Sequence, residues 1–215
     1  MTRLRIAVGR RIRDERGFTL VEMTIALMLM LVVTVIFITV MVSVQGAVAK
    51  TQGRSVSNDQ ARLAVEELDR EIRSGNVLYD PSLENDPGNG IYPNMSLRIY
   101  TQSNADTRNP GNQCVQWRIL NDELQRRSWG VDWQNDGSVT EWRNVADNIK
   151  NNDAPTVPAF TLDNSPTFGG RIINITIVAN ADLATGRNVV IKDAITGRNT
   201  EYSYPNNICS VIPPY

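Results

Sequence analysis

The most prominent pattern in the chain is a long apolar run near its N-terminus. No charged residue occurs between Met23 and Ala49, and the few polar side chains there are Thr24, Thr34, Thr39, Ser43 and Gln45. About 20 apolar residues suffice for a helix to cross a hydrocarbon core of ~30 Å. The run therefore predicts a transmembrane helix over about residues 20–45. One carboxylate, Glu22, lies at its start, where an ionisable group is costly unless it is paired.

The helical pattern continues beyond the apolar run, although polar residues now appear. Apolar side chains recur every three to five residues from Val56 to Ile72, with charged residues between them. This spacing predicts an amphipathic helix with one face available for packing. Gly75 is a typical stop signal. We therefore expect one long helix over residues 18–75, of which only the first half is apolar on all sides.

The remainder of the chain, residues 76–215, has the alternation and turn signals of β-structure. Residues 76–93 and 104–112 are rich in Pro, Gly, Asn and Asp and predict irregular connections. The clearest hairpin pairs residues 114–120 with 123–129 through Asn121 and Asp122. Further strands are predicted at residues 95–101, 160–162, 171–179 and 188–195. The fold class is α+β, with a long N-terminal helix packed on a C-terminal antiparallel β-sheet domain.

Charge is unevenly distributed, although the net charge is only −1. Residues 1–17 carry six arginines against Asp14 and Glu15, which leaves this segment at +4. A basic segment before an apolar span favours a cytoplasmic N-terminus, so residues 76–215 are expected outside the cytoplasm. A conventional signal peptide has a shorter apolar region that ends at its cleavage site and is disfavoured. A plain signal anchor remains open.

The two cysteines, Cys114 and Cys209, both lie in the part expected outside the cytoplasm. In an oxidising compartment the simplest interpretation is one disulfide, and the alternative is two unpaired buried cysteines. The chain has no histidine, so a zinc site and the common histidine-dependent catalytic sets lack support. We expect neither a cofactor nor enzymatic activity.

Two weaker patterns each have an ordinary structural explanation as well as a functional one. Asp132 and Asp136 are spaced like ligands of a calcium loop, but Arg143 stands where a bidentate glutamate is required. The alternative is a polar turn closed by Gly137. The four tryptophans, Trp117, Trp129, Trp133 and Trp142, could stack on nucleic-acid bases, but they lack an extensive basic patch beside them. Core packing is the favoured role, and no nucleic-acid partner is predicted.

The segment from Arg16 to Met23, RGFTLVEM, resembles the class III signal of type IV prepilins and type II secretion pseudopilins. The resemblance implies a leader of residues 1–17, cleavage by prepilin peptidase between Gly17 and Phe18, and methylation of the new amino group on Phe18. It also implies a pilin-like fold. In a low-dielectric assembly the Glu22 carboxylate needs an opposite charge. The Phe18 ammonium of a neighbouring subunit could supply that charge and set the assembly register.

A looser resemblance concerns the type of subunit. Residues 60–74 and 115–127 are similar to PilW-like minor pilins and J-type minor pseudopilins, and residues 18–74 contain no proline, unlike many major pilins. We expect a minor subunit of a pilus or pseudopilus, anchored in the cytoplasmic membrane before assembly. Its partners would be prepilin peptidase, other pilin or pseudopilin subunits, the inner-membrane assembly platform and membrane lipid. The alternative is a signal-anchored adhesin or binding protein outside any filament.

Overall fold

The chain divides into two compact units, Met1–Val48 and Ala49–Tyr215. The computed structural model describes residues 17–101, 112–165, 170–180, 188–197, 204–205 and 207–214. Residues 1–16 of the predicted leader and nearly all of the loop predicted at 104–112 lie outside the described residues. The domain boundaries predicted after residues 17 and 75 stay predictions.

In the first unit, the described structure is the start of helix α1 (Leu20–Arg73). The segment Leu20–Gln52 has a mean hydropathy of 3.0 and is long and apolar enough to cross a membrane. Its threonines satisfy their hydroxyls within the helix, because Thr34 donates to the Met30 carbonyl and Thr39 to the Val35 carbonyl, each at 2.7 Å. Internal pairing of this kind is what a lipid environment requires of polar groups.

The second unit contains the remainder of α1, which has the buried face that the sequence predicts. Its buried apolar residues are Ala61, Ala64, Val65, Leu68 and Ile72. The helix ends at Arg73, and Gly75 begins strand β1 instead of serving only as a stop. A Cβ at Gly75 would lie 2.9 Å from both the Ile72 carbonyl oxygen and Ile99 Cγ2. Only glycine fits this close turn from helix to sheet.

A five-stranded antiparallel sheet follows, with the strand order β1-β2-β3-β4-β5. Its strands are β1 (Gly75–Leu78), β2 (Ser96–Thr101), β3 (Gln113–Leu120), β4 (Glu123–Trp129) and β5 (Arg143–Ala146). The predicted β3–β4 hairpin is confirmed. Asn121 and Asp122 have φ angles of 52° and 63°, as a two-residue hairpin turn of type I′ requires.

A second antiparallel sheet has the order β6-β7-β8. Its strands are β6 (Phe160–Asp163), β7 (Ile172–Ala179) and β8 (Val189–Thr196). The C-terminal part therefore contains two antiparallel sheets. The prediction of a fully irregular connection at residues 76–93 was wrong, because that segment contains most of β1. Short 3₁₀ turns at Pro81–Leu83 and Pro87–Asn89 and the four-residue helix α2 (Trp133–Asp136) complete the described elements.

Alternation along the strands gives the five-stranded sheet two different faces. The front face carries Leu97, Val115 and Trp117, which pack in one core with α1 and with apolar residues of the three-stranded sheet. The back face carries Tyr100, Cys114 and Trp129, which form a second cluster with Cys209. The architecture is thus α+β and pilin-like, with a long apolar N-terminal helix and antiparallel sheets in the C-terminal part.

Candidate processing and assembly site

The predicted cleavage position lies immediately before α1. Residues 17–19 are not helical, and the first helical residue is Leu20. The Phe18 side chain is 83% exposed. A Cβ at Gly17 would meet no atom within 4 Å. The Gly17–Phe18 peptide therefore lies in non-helical backbone that an approaching enzyme can contact.

Glu22 takes part in a reciprocal hydrogen-bonded cap at the start of α1. The Thr19 backbone N–H donates to Glu22 Oε2 at 2.9 Å, and the Thr19 hydroxyl donates to the same oxygen at 3.0 Å. The Glu22 N–H in turn donates to Thr19 Oγ1 at 3.3 Å. This arrangement is a capping box, in which a threonine and a glutamate three residues later satisfy the free N–H groups of a helix start.

The cap gives Glu22 a role within its own chain that the sequence interpretation missed. The Thr-x-x-Glu signature of a capping box is visible in the sequence, so this contact could have been predicted. Glu22 is exposed in the single chain. The cap holds its carboxylate beside Thr19, the residue that follows Phe18.

The apolar side chains that follow the cap are all exposed in the single chain. Phe37 is 67% exposed and Met30 is 69% exposed, and every described residue from Gly17 to Gln52 falls in the exposed class. A contiguous apolar surface of this extent marks a membrane or protein contact. In a bilayer such a helix is covered by lipid or by other helices.

Cys114 and Cys209 form a disulfide with a Cα–Cα distance of 5.8 Å. The bond connects strand β3 to the C-terminal segment across a sequence separation of 95. Both cysteines are buried in the back-face cluster. The disulfide predicted from the sequence is therefore present, and the alternative of two unpaired cysteines does not hold.

Two buried carboxylates were not predicted. Glu71 lies on the buried face of α1, where burial raises the pKa of its carboxyl despite the opposing charge of Arg126. Burial likewise raises the pKa of Glu84, which pairs with Arg98 at 2.6 Å. The sequence did contain a signal that Glu71 is buried, because it lies three residues after Leu68 and directly before Ile72. Glu84 lies in an irregular stretch that contains no such signal.

The structure places the two candidate calcium ligands around the short helix α2. Asp132 precedes the helix, and Asp136 Oδ1 accepts a 2.8 Å hydrogen bond from the Ser138 N–H. Hydrogen bonds from Ser138 lower the pKa of Asp136. Gly137 ends the helix with a φ of 66°, as in the polar turn considered as the alternative. Among the described residues, no group of three or more His, Cys, Asp or Glu side chains could hold a metal ion.

The predicted core packing holds for Trp117 and Trp129, which are buried, whereas Trp133 and Trp142 are only half-buried. The Arg118 guanidinium lies 3.7 Å from the Trp142 ring centroid, and that of Arg127 lies 4.4 Å from it. The Trp142 ring is therefore already in contact with the protein's own cations.

Comparison with protein families gives one match at this site. Residues 12–38 match the family model described as the prokaryotic N-terminal methylation motif. The matched stretch contains the predicted cleavage position, the capping box and the first part of the apolar helix. The class that the fold and this motif together support is a type IV pilin-like or pseudopilin precursor. A search of curated proteins gave no match.

The motif has direct implications for processing and anchoring. It implies cleavage by prepilin peptidase and assembly with other pilin subunits, and the family that carries it is structural and not enzymatic. The exposed apolar helix that follows it supports anchoring in a membrane.

Proposed function

We propose that the chain is a minor type IV pilin or pseudopilin, cleaved by prepilin peptidase after Gly17 and assembled into a pilus or pseudopilus. The observation that carries this proposal is the position of the methylation motif at the start of α1. The same helix is apolar and exposed over Leu20–Gln52 and ends in the core of a β-rich unit. The apolar part of such a chain can be covered by lipid or by a bundle of helices, and the β-rich unit can be displayed on the surface of a filament.

Cleavage would create the charge that the site lacks. It would place an ammonium group on Phe18, one residue before Thr19 and four before Glu22. In an apolar bundle, an ammonium and a carboxylate are stable only when paired. We expect the Phe18 ammonium of one subunit to pair with Glu22 of its neighbour, so that this contact sets the register between adjacent helices.

The proposed location follows from charge and hydropathy. The basic leader favours a cytoplasmic N-terminus, so the β-rich unit would lie outside the cytoplasmic membrane before assembly. The disulfide is consistent with an oxidising compartment. Membrane lipid and the inner-membrane assembly platform would then contact the anchored precursor.

A minor subunit is favoured over a major one by features of the sequence. Residues 18–74 contain no proline, and the structure accordingly has a continuous helix from Leu20 to Arg73. Residues 60–74 and 115–127 are similar to PilW-like and J-type subunits. A low-copy subunit that primes, caps or decorates the filament fits both points.

Processing is tested by a substitution that leaves the structure undisturbed. Gly17→Val should abolish cleavage by prepilin peptidase in membranes, because it changes the residue that the peptidase recognises. A side chain at Gly17 meets open space, so the substitution should affect recognition only. Gly46→Val is the matched control, because Gly46 is also surrounded by open space. Equal cleavage of both variants would contradict processing at Gly17.

Assembly is tested separately through Glu22. Glu22→Ala should be cleaved normally yet be lost from the sheared filament fraction of cells that express the other pilin subunits. Glu66→Ala removes another exposed carboxylate of the same helix and should assemble normally. A wild-type chain that is absent from filaments would instead indicate a signal-anchored adhesin or binding protein.

A further inference from the structure

Residues 86–91 form a small hairpin in the connection between β1 and β2. The Asp86 N–H donates to the Ile91 carbonyl, and the Ile91 N–H donates to the Asp86 carbonyl, both at 2.9 Å. The 3₁₀ turn Pro87–Asn89 forms the tip. Ile91 is 1% exposed, whereas Asn89 is exposed. Two backbone hydrogen bonds therefore hold a buried isoleucine close to an exposed turn.

One side-chain hydrogen bond spans this turn. Asn89 Nδ2 donates to Asp86 Oδ2 at 2.7 Å. A Cβ added to Gly88 would lie 3.5 Å from Asp86 Oδ1, so the carboxylate lies against the turn. An ionised carboxylate can only accept hydrogen bonds, whereas an amide can also donate them. A second carboxylate at position 89 would therefore remove the donor and bring two negative charges together.

Asn89 is followed by Gly90, and this is the single Asn-Gly pair in the sequence. Because glycine has no Cβ and a freely adaptable backbone, its nitrogen can approach the Cγ atom of the preceding asparagine with little obstruction. The Gly90 N–H donates one hydrogen bond, to the Pro87 carbonyl at 3.2 Å. Hydrogen bonds of an exposed turn open more readily than those of a core strand.

The short helix α2 supplies a matched position at which this approach is obstructed. Asn135 is exposed and lies two residues before Gly137, which has a φ of 66°. The residue directly after Asn135 is Asp136, whose Cβ lies in the way. Gly90 has a similar φ of 73°. Both asparagines thus lie in exposed turns that end in a left-handed glycine, and they differ in the residue that follows them.

We propose that Asn89 is a site of spontaneous deamidation and that its product opens the hairpin by placing a second carboxylate beside Asp86. The Gly90 nitrogen loses its proton and forms a bond to Asn89 Cγ. The Cγ–Nδ2 bond breaks, and the departing nitrogen takes up a proton and leaves as ammonia. Water then opens the five-membered imide and leaves an aspartyl or isoaspartyl residue. The inference concerns the second unit alone and does not depend on processing or filament assembly.

The first experiment measures the reaction itself. The full-length chain in detergent micelles is incubated at mildly acidic and at mildly alkaline pH, and its peptides are analysed by mass spectrometry. Conversion at Asn89 should be detected before conversion at Asn135, and it should be faster at the higher pH because the attacking nitrogen must lose a proton. No conversion at Asn89, or equal conversion at Asn135, overturns the assignment of the site.

The second experiment tests the structural consequence directly. Asn89→Asp introduces the second carboxylate, and hydrogen exchange of the Ile91 N–H reports opening of the hairpin. Loss of a hydrogen bond to a charged group should raise this exchange rate about tenfold. Asn135→Asp is the matched control, because it adds the same charge to the other exposed turn and should leave the Ile91 exchange rate unchanged.

The double variant Asp86→Asn/Asn89→Asp exchanges the donor and the acceptor of the same contact. An amide at position 86 can donate to a carboxylate at position 89, so the Ile91 exchange rate should return close to that of the wild type. A raised rate in Asn89→Asp that the double variant restores supports the inference. An unchanged rate in Asn89→Asp, or a raised rate that the double variant does not restore, overturns it.

Discussion

Trp117 Nε1 donates a 2.6 Å hydrogen bond to Glu71 Oε2, which joins the last buried turn of α1 to the central strand β3. Arg126 on β4 contacts the other oxygen of Glu71, from Nη2 at 2.7 Å and from Nε at 2.8 Å. Glu71 is fully buried. One carboxylate therefore fixes the position of the helix against two neighbouring strands.

Glu71→Ala should destabilise the second unit by about 3 kcal/mol. The substitution leaves the largely buried Arg126 guanidinium without its closest acceptor, and loss of one partner of a buried ion pair is strongly destabilising. Glu67 remains 3.4 Å from Arg126 Nε and limits the loss. Urea unfolding in detergent micelles, followed by tryptophan fluorescence, measures the change. The exposed Glu66→Ala should cost no more than about 0.5 kcal/mol, and equal effects at both positions would refute the role assigned to Glu71.

The same carboxylate predicts a pH dependence of stability. Burial raises the folded-state pKa of Glu71 above its ordinary value of 4.5. Between that value and the raised pKa, the folded chain binds more protons than the unfolded chain, so the free energy of unfolding falls as pH rises. Relative to Glu71→Gln, which cannot titrate, the wild type should lose stability as pH increases above 4.5. Stability that increases with pH relative to this variant would contradict the assignment.

Removal of the disulfide should lower stability by about 4 kcal/mol. The bond closes a loop with a sequence separation of 95, and the chain-entropy model gives this magnitude for a loop of that size. The double variant Cys114→Ser/Cys209→Ser is compared with wild type by urea unfolding, with reduced wild type as a second reference. A loss below about 1 kcal/mol would show that the bond adds little to the non-covalent contacts of residues 207–214.

Two substitutions of Asn121 in the β3–β4 turn test its left-handed backbone conformation, and each serves as the control for the other. Asn121 has a φ of 52°, a left-handed conformation that costs most residues about 1–2 kcal/mol but costs glycine almost nothing. Asn121→Ala should therefore destabilise the chain by about 1 kcal/mol, whereas Asn121→Gly should be close to neutral or slightly stabilising. Thermal unfolding of the two variants measures the difference. Equal midpoints would exclude the left-handed turn.

Elements with a strong local pattern could be predicted from the sequence. The apolar run before Ala49 and the repeat from Ala61 to Ile72 identify α1, and the Asn121-Asp122 turn identifies the β3–β4 hairpin. Strands β1 and β5 were missed because each has only four residues and includes an asparagine, a residue depleted in strands, whereas the equally short β6 carries Phe160 and Leu162 in alternation. The division into two sheets depends on pairing between distant segments, which no local pattern encodes.

The candidate site shows the same contrast. Gly17, Phe18 and Glu22 lie within six residues of one another and form a recognisable motif, and the Thr19–Glu22 cap was equally accessible. The contact of Arg98 with the Cys209 carbonyl, in contrast, joins residues 111 positions apart. Its acceptor is a backbone atom, so neither side chain identifies the pair. Only the folded structure brings these groups together.

Processing by prepilin peptidase is tested most directly by the intact mass and N-terminal sequence of the chain after isolation from membranes of its native host. We expect a chain that begins at Phe18 and carries one methyl group on its amino terminus. A chain that still begins at Met1, in cells with an active prepilin peptidase, would contradict it.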